Sequence, residues 1–334
     1  MAVRVSVLMA AYNAEKYLRE SLDSVLSQDI GEGLQLICID DASTDGTAAI
    51  LDDYASCDNR MEVIHLERNG GAGRARNIGL KQVRGKYVAF VDADDLLSPD
   101  ALRLAAERFD ADPALGAVLF KVRICDEQGK IIEDYPMDAF DEMPGAEAFE
   151  KSLTWQIHGV YVVRADIHLK YPYDETSRTF SDDNTTRLHY LASERVGCCE
   201  GVYYYRQHSG SVTHVVDISR FDYLKANASM ARQLRELNQP WRILSLYEAH
   251  RWNNLIGMYM FYVRYRGSFS SAECHASLRE LRTAWQGIDT SLLPPSATRK
   301  FGYMPLRFSW PLFRLQEEIY FLLRRIKYGK KMIP

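Results

Sequence analysis

Short apolar runs alternate with helical patterns through the first hundred residues. Four of the runs have the length of a buried strand; they are residues 3–9, 34–39, 61–66 and 88–91. Between them, apolar residues recur every three or four positions, as a helix with one buried face requires. This alternation predicts an α/β fold with a mainly parallel central sheet and flanking helices. In such sheets, ligands bind beyond the carboxyl ends of the strands.

Polar or acidic residues follow three of these predicted strands. They are Tyr12 and Asn13 after the first strand, Asp40 and Asp41 after the second, and Asp92, Asp94 and Asp95 after the fourth. Uncompensated carboxylates beside a core are costly, so a partner is expected. A divalent cation is one candidate, and oxygen ligands favour Mg²⁺ or Mn²⁺; a helix N-terminus is the other. The alternative for Asp94 and Asp95 is that they only lead into a helix capped by Ser98, as Asn13 is expected to cap the first helix.

A glycine-rich loop, residues 69–73, lies between the acidic strand ends in the chain. Its glycines, Gly70, Gly71 and Gly73, match neither the GxGxxG pattern nor a P-loop, so a dinucleotide-binding fold is disfavoured. Because the carboxyl ends of parallel strands meet at one sheet edge, the acidic ends and this loop predict a single site there.

The middle of the chain contains further strand and helix patterns. Residues 114–124 predict a strand, residues 126–130 a polar hairpin turn, and residues 134–146 an acidic loop. Residues 203–214 begin with an aromatic strand-like run. After residue 216, three helices are predicted at 221–237, 241–265 and 271–285. We therefore expect two regions, a catalytic-type α/β domain at 1–215 and a helical region at 216–334.

The last segment, residues 299–331, has nine Lys or Arg and two Glu, a local charge of +7. Within it, residues 312–328 predict a helix whose apolar face would consist of Leu312, Leu315, Ile319, Leu322, Leu323 and Ile326. A basic amphipathic helix is a candidate for lying on an anionic membrane surface. The alternatives are that this face packs on the α/β domain or on a second copy in a homodimer.

Composition narrows the function classes. The net charge of −4 over 334 residues gives no reason to expect a nucleic-acid partner. The six cysteines show no C-x-x-C spacing and favour buried free thiols in a reducing compartment. The N-terminus has no signal-peptide layout, and the sequence contains no run of 18 apolar residues. The expected location is the cytoplasm, with peripheral attachment to the inner face of the membrane if the basic helix binds lipid.

Four segments, taken in order, resemble the motifs of family-2 glycosyltransferases. They are Tyr12-Asn13, residues 40–47, residues 75–79 and residues 85–95. The resemblance implies a GT-A fold, a nucleoside diphosphate sugar donor, Mn²⁺ or Mg²⁺, and inversion at the anomeric carbon. One departure is Ala10, which stands where the family usually has Pro. Because the main chain there is expected to line the nucleobase pocket, the change is expected to reduce rigidity more than activity.

The resemblance also implies roles for individual residues. Those carried over to the nucleotide sugar are Ala10, Ala11, Tyr12, Asn13, Asp40, Asp41, Asn69, Gly73, Arg76, Asp92 and Ala93. The first four would border the base and ribose, and Asp41 (or Asp40) would accept a hydrogen bond from the base. Arg76 would face the nucleotide, although a surface helix arginine is the alternative. Asp92 would hold the ribose, and Asp94, with Asp92, the metal.

An acidic pair on the acceptor side completes the likeness. The family commonly has Glu-Asp at this place, and its second member is the catalytic base; here the pair is Asp182-Asp183, so Asp183 is the expected base. The alternative is that one of the two caps the following helix. Trp155 and His158 are expected to border the acceptor, although core packing explains Trp155 equally well. The residues expected to reach the diphosphate in a closed state are Arg206, His208 and Ser211.

The sequence therefore predicts a metal-dependent, inverting glycosyltransferase that acts on a saccharide or lipid-linked saccharide acceptor. The family's commonest donor base is uridine, and bacterial envelope polysaccharide synthesis is the implied setting. In this reading, residues 1–97 bind the donor and residues 98–215 the acceptor. The alternative is a nucleotide-sugar-binding or scaffold subunit without turnover, which the Asp182 and Ala10 departures keep open. A sugar nucleotidyltransferase is disfavoured because residues 10–13 lack a basic glycine-rich loop.

Overall fold

The computed structural model describes residues 2–208, 217–295 and 308–328. The chain divides into two compact units, Met1–Val215 and Val216–Pro334, and each is described by itself. No helix within the described ranges is both long enough and apolar enough to cross a lipid bilayer. All six cysteines are free; Cys38, Cys125 and Cys199 are buried as expected, whereas Cys57 is exposed.

The first unit is built on one ten-stranded sheet. Its strands are β1 (Val5–Ala11), β2 (Leu34–Asp40), β3 (Met61–His65), β4 (Tyr87–Phe90), β5 (Leu96–Leu97), β6 (Leu115–Cys125), β7 (Ile131–Asp134), β8 (Glu142–Pro144), β9 (Tyr161–Arg164) and β10 (Arg195–Arg206). Its helices are α1 (Leu18–Leu26), α2 (Thr47–Cys57), α3 (Ala72–Leu80), α4 (Ala101–Ala111), α5 (Gly145–Ser152), α6 (Ala165–Lys170) and α7 (Ser181–Ala192).

The sheet order is β3-β2-β1-β4-β9-β6-β10-β5, with β7 paired to β6 and β8 to β10. The four predicted strands, β1 to β4, are parallel, as expected. Beyond β4 the sheet becomes mixed, because β9 inserts antiparallel between β4 and β6. The polar turn at 126–130 forms the predicted hairpin between β6 and β7. The carboxyl ends of β1, β2 and β4 therefore lie at one edge.

Alternating side chains of the central strands enter two separate cores. Val7 of β1 belongs to the core on one face of the sheet, and its neighbour Leu8 belongs to the core on the other. All seven residues of β2 are buried. A continuous apolar run is what a strand covered by helices on both faces requires, which explains why the sequence shows no alternation there.

Two predicted helix caps and one predicted loop are wrong. The residue before α1 is Tyr17, not Asn13, and the residue before α4 is Asp100, not Ser98. The Ser98 hydroxyl instead accepts the Val202 N–H at 3.0 Å, which ties this segment to β10. The predicted loop at 134–146 contains the short strand β8, which pairs with β10.

The second unit is helical. Its helices are α8 (Asp222–Glu236), α9 (Trp241–Tyr265), α10 (Ser271–Gln286) and α11 (Trp310–Tyr328). The first three begin and end within one residue of the predicted bounds, and α10 starts with a capping box formed by Ser270 and Glu273. Aromatic side chains fill the core, including Trp252 and Tyr259, which are fully buried. Phe313 of α11 packs against both rings.

Candidate active site

A cavity of about 400 Å³ in the first unit is lined by four carboxylates from two distant segments. Asp92 and Asp95 follow β4, whereas Asp182 and Asp183 lie in the first turn of α7. The other lining residues are Phe90, Val122, Ile124, Tyr135, Ser152, Trp155, Ile157, His158, Gly159, Val160, Thr186, Arg187, Tyr203 and Tyr205. The structure thus brings the acidic strand end and the acidic pair to one cleft large enough for a small ligand.

Arg76 of α3 supplies the positive charge opposite Asp92. The guanidinium is 4% exposed and forms an ion pair with the Asp92 carboxylate. It lies over the rings of Phe90, at 4.7 Å from the centroid, and Tyr173, at 5.5 Å. Burial alone would lower the pKa of Arg76, but the carboxylate of Asp92 raises that pKa above its ordinary value. Arg76 is therefore a buried, permanently charged group that contacts the cleft residue Asp92, and not a surface helix arginine.

Tyr203 of β10 holds the acidic segment after β4 through two hydrogen bonds of its hydroxyl group. The Tyr203 hydroxyl accepts the Asp92 N–H at 3.2 Å and donates to Asp95 Oδ2 at 2.7 Å. Asp95 Oδ1 accepts the Arg206 N–H at 2.7 Å. Burial, together with the nearby Asp92 and Asp94, raises the pKa of Asp95 well above its ordinary value. Asp95 is thus a structural acid, and Tyr203 is a positioning residue that the sequence analysis missed.

Asp183 forms an ion pair with Arg187, one turn later in α7. The distance between Asp183 Oδ2 and Arg187 Nη2 is 3.4 Å, and the two side chains are 11% and 2% exposed. The sequence analysis missed Arg187, although its i, i+4 spacing from Asp183 was a usable signal. Neither Asp182 nor Asp183 caps the helix, because α7 begins before them, at Ser181. Both carboxylates lie near the positive end of the helix dipole, which favours negative charge.

Gly73 brings α3 close to the start of α7. A Cβ atom on Gly73 would lie 2.3 Å from Ser181 Oγ and 2.8 Å from Ser181 Cβ. Only glycine therefore allows the two helices to approach here, and Ser181 directly precedes the acidic pair. The structure thus gives Gly73 a packing role, in addition to the predicted nucleotide contact, which stays a prediction.

Replacing Gly73 with Ala is expected to destabilise the protein by about 1–3 kcal/mol through overpacking, and to lower activity by moving the first turn of α7. The second change Ser181→Gly removes both clashing atoms, so the double variant G73A/S181G is expected to recover most of each loss. Urea unfolding and initial rates of the wild type, both single variants and the double variant measure the effect. A double variant no better than G73A would show that the close approach does not position the acidic pair.

The strand-end residues after β1 and β2 mainly hold loops. Asn13 has a φ of 49° and accepts the Thr44 N–H on Oδ1 at 2.8 Å. Asp41 accepts the N–H groups of Gly70 and Gly71 at 2.8 and 2.7 Å. Both Asp41 oxygens thus anchor the glycine loop, and each keeps a lone pair that can accept a base N–H, so the predicted contact with the base stays a prediction.

The other residues predicted to bind the nucleotide are found in varied environments. Asp40 accepts the Ser43 N–H at 2.9 Å and pairs with His65 at 3.0 Å, so it is committed to the fold. Tyr12 is 51% exposed beside the strand end, which suits a ring that stacks on a base. Asn69 accepts a hydrogen bond from Arg178. The remaining members are Ala10, which is half-buried, and Ala11 and Ala93, which are buried.

Asp94 and His208 are the candidate ligands for a divalent cation. The distance between Asp94 Oδ2 and His208 Nε2 is 2.8 Å, and the two side chains are 35% and 14% exposed. Within residues 2–208, 217–295 and 308–328, no group of three or more His, Cys, Asp or Glu side chains forms a ready metal site. Mg²⁺ and Mn²⁺ sites that also use substrate phosphates need only one or two protein carboxylates. The oxygen and nitrogen donors of Asp94 and His208 fit such a cation.

Arg206 and Ser211 are the other two residues predicted to reach the diphosphate in a closed state. Arg206 is buried, pairs with Glu20 at 2.6 Å and lies over the ring of Tyr17. Its guanidinium therefore joins β10 to α1 in this structure, and the contact in a closed state stays a prediction. Ser211 lies outside the described residues.

Trp155 and His158 both line the cavity. Trp155 is 50% exposed, which excludes the core-packing alternative for its ring. His158 is 4% exposed, and burial lowers its pKa to about 4, so the imidazole is neutral at neutral pH. An exposed aromatic face beside a neutral polar ring suits a sugar, whose apolar face packs on aromatic rings.

Sequence comparisons agree with this geometry. Residues 6–166 match the family model described as glycosyl transferase family 2. The chain is 27% identical over 224 residues to glycosyltransferase GlyG of Streptococcus pneumoniae, covering 64% of this chain and 73% of GlyG. It is 35% identical over 162 residues to the putative teichuronic acid biosynthesis glycosyltransferase TuaG of Bacillus subtilis, covering 48% of this chain and 62% of TuaG.

A further relative is TarS of Staphylococcus aureus, a poly(ribitol-phosphate) β-N-acetylglucosaminyltransferase. It is 30% identical over 210 residues, which cover 61% of this chain and 35% of TarS. The crystal structure of S. aureus TarS 1–349 in complex with UDP-GlcNAc has a TM-score of 0.74 to this chain and 22% identity. That match covers 96% of this chain and 92% of the solved one, and it shows that the two share a fold. The family match over residues 6–166, which includes Arg76 and Asp92 but ends before the acidic pair of α7, identifies this part of the chain as a glycosyltransferase family 2 domain.

Proposed function

We propose that this protein transfers a sugar, with inversion, from a nucleoside diphosphate sugar to a saccharide or lipid-linked saccharide in bacterial envelope polysaccharide synthesis. The observation that carries the proposal is the cavity of about 400 Å³ that Asp92, Asp182 and Asp183 line together. Asp92, which the family resemblance assigns to the donor, and Asp183, the expected catalytic base, thus line one cleft. The relatives TuaG, a putative teichuronic acid biosynthesis glycosyltransferase, and TarS, which acts on poly(ribitol-phosphate), support an envelope polymer as the acceptor. The complex of TarS with UDP-GlcNAc supports a UDP-sugar as the donor.

The chemistry assigns a separate task to each charged group. In an inverting transfer, an acceptor hydroxyl attacks the anomeric carbon while the nucleoside diphosphate leaves from the opposite face. Asp183 takes the hydroxyl proton as the new bond forms, and Arg187 holds its carboxylate in place. Arg76 keeps Asp92 ionised and oriented, so that Asp92 accepts hydrogen bonds from the donor's hydroxyls. Trp155 covers the acceptor sugar.

A divalent cation, Mn²⁺ or Mg²⁺, would be held by Asp94, with His208 and Asp92 beside it. When bound, it supplies positive charge to the leaving diphosphate. Asp94 and His208 contact each other next to the acidic segment, and phosphate oxygens and water would supply the remaining ligands of such a cation.

Thermal-shift screening of UDP-, GDP- and TDP-sugars with and without Mn²⁺ tests the proposal. A bound donor at a hundred times its Kd is expected to stabilise the protein by about 2.7 kcal/mol. The variant Asp94→Asn is expected to lose the part that depends on Mn²⁺. Asp53→Asn, which removes an exposed carboxylate of α2, is expected to behave as wild type.

Two results would count against the proposal. A protein that no nucleoside diphosphate sugar stabilises, with or without Mn²⁺, would contradict donor binding. Donor binding without hydrolysis or transfer to any acceptor would instead favour the scaffold alternative, in which the Asp182 departure has removed turnover. Donor affinity that is independent of Mn²⁺ in both the wild type and Asp94→Asn would contradict only the proposal that Asp94 holds a divalent cation.

A further inference from the structure

The burial pattern of α11 is the reverse of what its sequence leads one to expect. The six aliphatic residues of its apolar stripe are exposed, by 38–73%; they are Leu312, Leu315, Ile319, Leu322, Leu323 and Ile326. The opposite face is buried, and it includes the polar side chains of Gln316 and Glu317. A surface helix normally turns its apolar stripe to the core. Here aromatic contacts fix α11 by its other face and leave the stripe to solvent.

Those contacts are specific. Phe313 is fully buried against Trp252 and Tyr259, and Phe321 stacks on Tyr259 with an interplanar angle of 11°. Arg266 of the neighbouring segment pairs with Glu318 at 2.8 Å. The orientation of α11 in the second unit is thus determined by packing and by an ion pair. A contiguous exposed apolar face of this size marks an interaction site.

The charges around the stripe identify its occupant. Arg325 is exposed and Arg324 half-buried at the C-terminal end of α11, and the sequence adds Lys327, Lys330 and Lys331. Neither carboxylate of α11 offers a free negative charge beside the stripe. Glu318 is paired with Arg266. Glu317 is buried, and burial raises its pKa to about 8. The apolar stripe thus has arginines beside it, and both Glu side chains of α11 are engaged elsewhere. Such a surface is complementary to anionic lipid headgroups.

A second copy of this chain fits the same surface less well. A two-fold interface places identical patches together, so each stripe would meet another stripe that also brings arginines. No carboxylate of α11 is available to pair with them. A membrane supplies both hydrocarbon and negative charge.

We propose that α11 binds the surface of an anionic membrane, with its apolar stripe in the interface and its basic end on the headgroups. The helix lies along the surface and does not cross it, since Arg324 and Arg325 interrupt its apolar character. This proposal goes beyond donor and acceptor chemistry and does not depend on it. An enzyme held in this way would meet an acceptor carried on a lipid.

Co-sedimentation of the full chain with lipid vesicles tests the proposal without any sugar substrate. Vesicles of equal parts phosphatidylcholine and phosphatidylglycerol are compared with vesicles of phosphatidylcholine alone. The wild type is expected to bind the anionic vesicles about tenfold more tightly or better, and added salt is expected to weaken that binding. The variant L315Q/L322Q is expected to lose about tenfold or more, because partition scales with the buried apolar area.

Two further variants separate charge from apolar contact. R324Q/R325Q is expected to lose most of the preference for anionic vesicles and most of the salt dependence. Trp241→Gln, which removes a 65% exposed ring at the start of α9, is the matched control and is expected to bind as wild type. Unchanged circular dichroism shows that each variant is folded.

Equal binding to both vesicle types, or L315Q/L322Q binding as tightly as wild type, would overturn the proposal. Light scattering of the same proteins adds a third outcome. A wild type that is dimeric and does not bind vesicles, with an L315Q/L322Q variant that is monomeric, would overturn it in favour of a homodimer.

Discussion

Replacing Asp183 with Asn is expected to lower the rate of sugar transfer by about 10²–10⁴-fold, the usual contribution of a general base. Asparagine keeps the size of the side chain and its place one turn before Arg187, but it cannot take a proton from the acceptor hydroxyl. The proposed donor contact, Asp92, lines the same cavity from a different segment, the one after β4. Donor affinity is therefore expected to stay close to that of the wild type.

The neighbouring variant Asp182→Asn is the matched control. Asp182 lines the same cavity and lies in the same helical turn, and its charge acts on Arg76 and Asp92. The Asp182 charge raises the pKa of Asp92, so its removal favours the ionised form of Asp92. We therefore expect donor affinity in Asp182→Asn to be equal to or higher than in the wild type, with little change in the maximal rate. Initial rates over a range of donor and acceptor concentrations separate the two effects. A larger loss of maximal rate in Asp182→Asn than in Asp183→Asn would make Asp182 the base.

Asp92 and Asp183 illustrate what a sequence alone can locate. Asp92 follows a predicted strand, and Asp183 lies near the start of a predicted helix. Such local patterns can be recognised from the sequence alone. The two residues meet in one cavity because of the strand order of the sheet. In that order, β9 inserts antiparallel between β4 and β6. Such a pairing is non-local, and no periodicity in the sequence encodes it.

Sequence analysis could not show which protein groups the polar residues at the expected edge would bind. It assigned Arg206, Asp41 and Asn13 to the nucleotide sugar or its diphosphate, and Asn13 also to a helix cap. In the structure, Arg206 joins two elements through Glu20, and Asp41 anchors two backbone N–H groups. A buried polar group must be hydrogen-bonded, and whether its partner is the protein or a ligand depends on chain segments far away. Gly73 is the reverse case, because its role is only visible from the atoms that a Cβ would meet.

Replacing Arg76 with Met is expected to give the largest loss of stability. Removing one partner of a buried ion pair typically costs 3–5 kcal/mol, and because 42% of the Asp92 side chain is open to the cleft, we expect about 3 kcal/mol. Methionine retains contact with Phe90 and Tyr173, so the loss reports the charge more than the packing. Burial in the cleft already raises the pKa of Asp92, although Arg76 opposes this rise. Without Arg76, that pKa is expected to increase further, and donor affinity is expected to fall with it.

The double variant R76M/D92N tests whether the pair acts as a unit. Asp92→Asn leaves no uncompensated carboxylate, so the double variant is expected to be more stable than Arg76→Met alone, with a coupling of about 0.5–3 kcal/mol. Arg68→Met removes an exposed arginine before the glycine loop and is expected to change stability by less than about 0.5 kcal/mol. Urea unfolding of all four variants, with donor titrations, measures both quantities. If R76M is as stable as R68M, the fold does not need the charge of Arg76 beside Asp92, and that charge serves the donor alone.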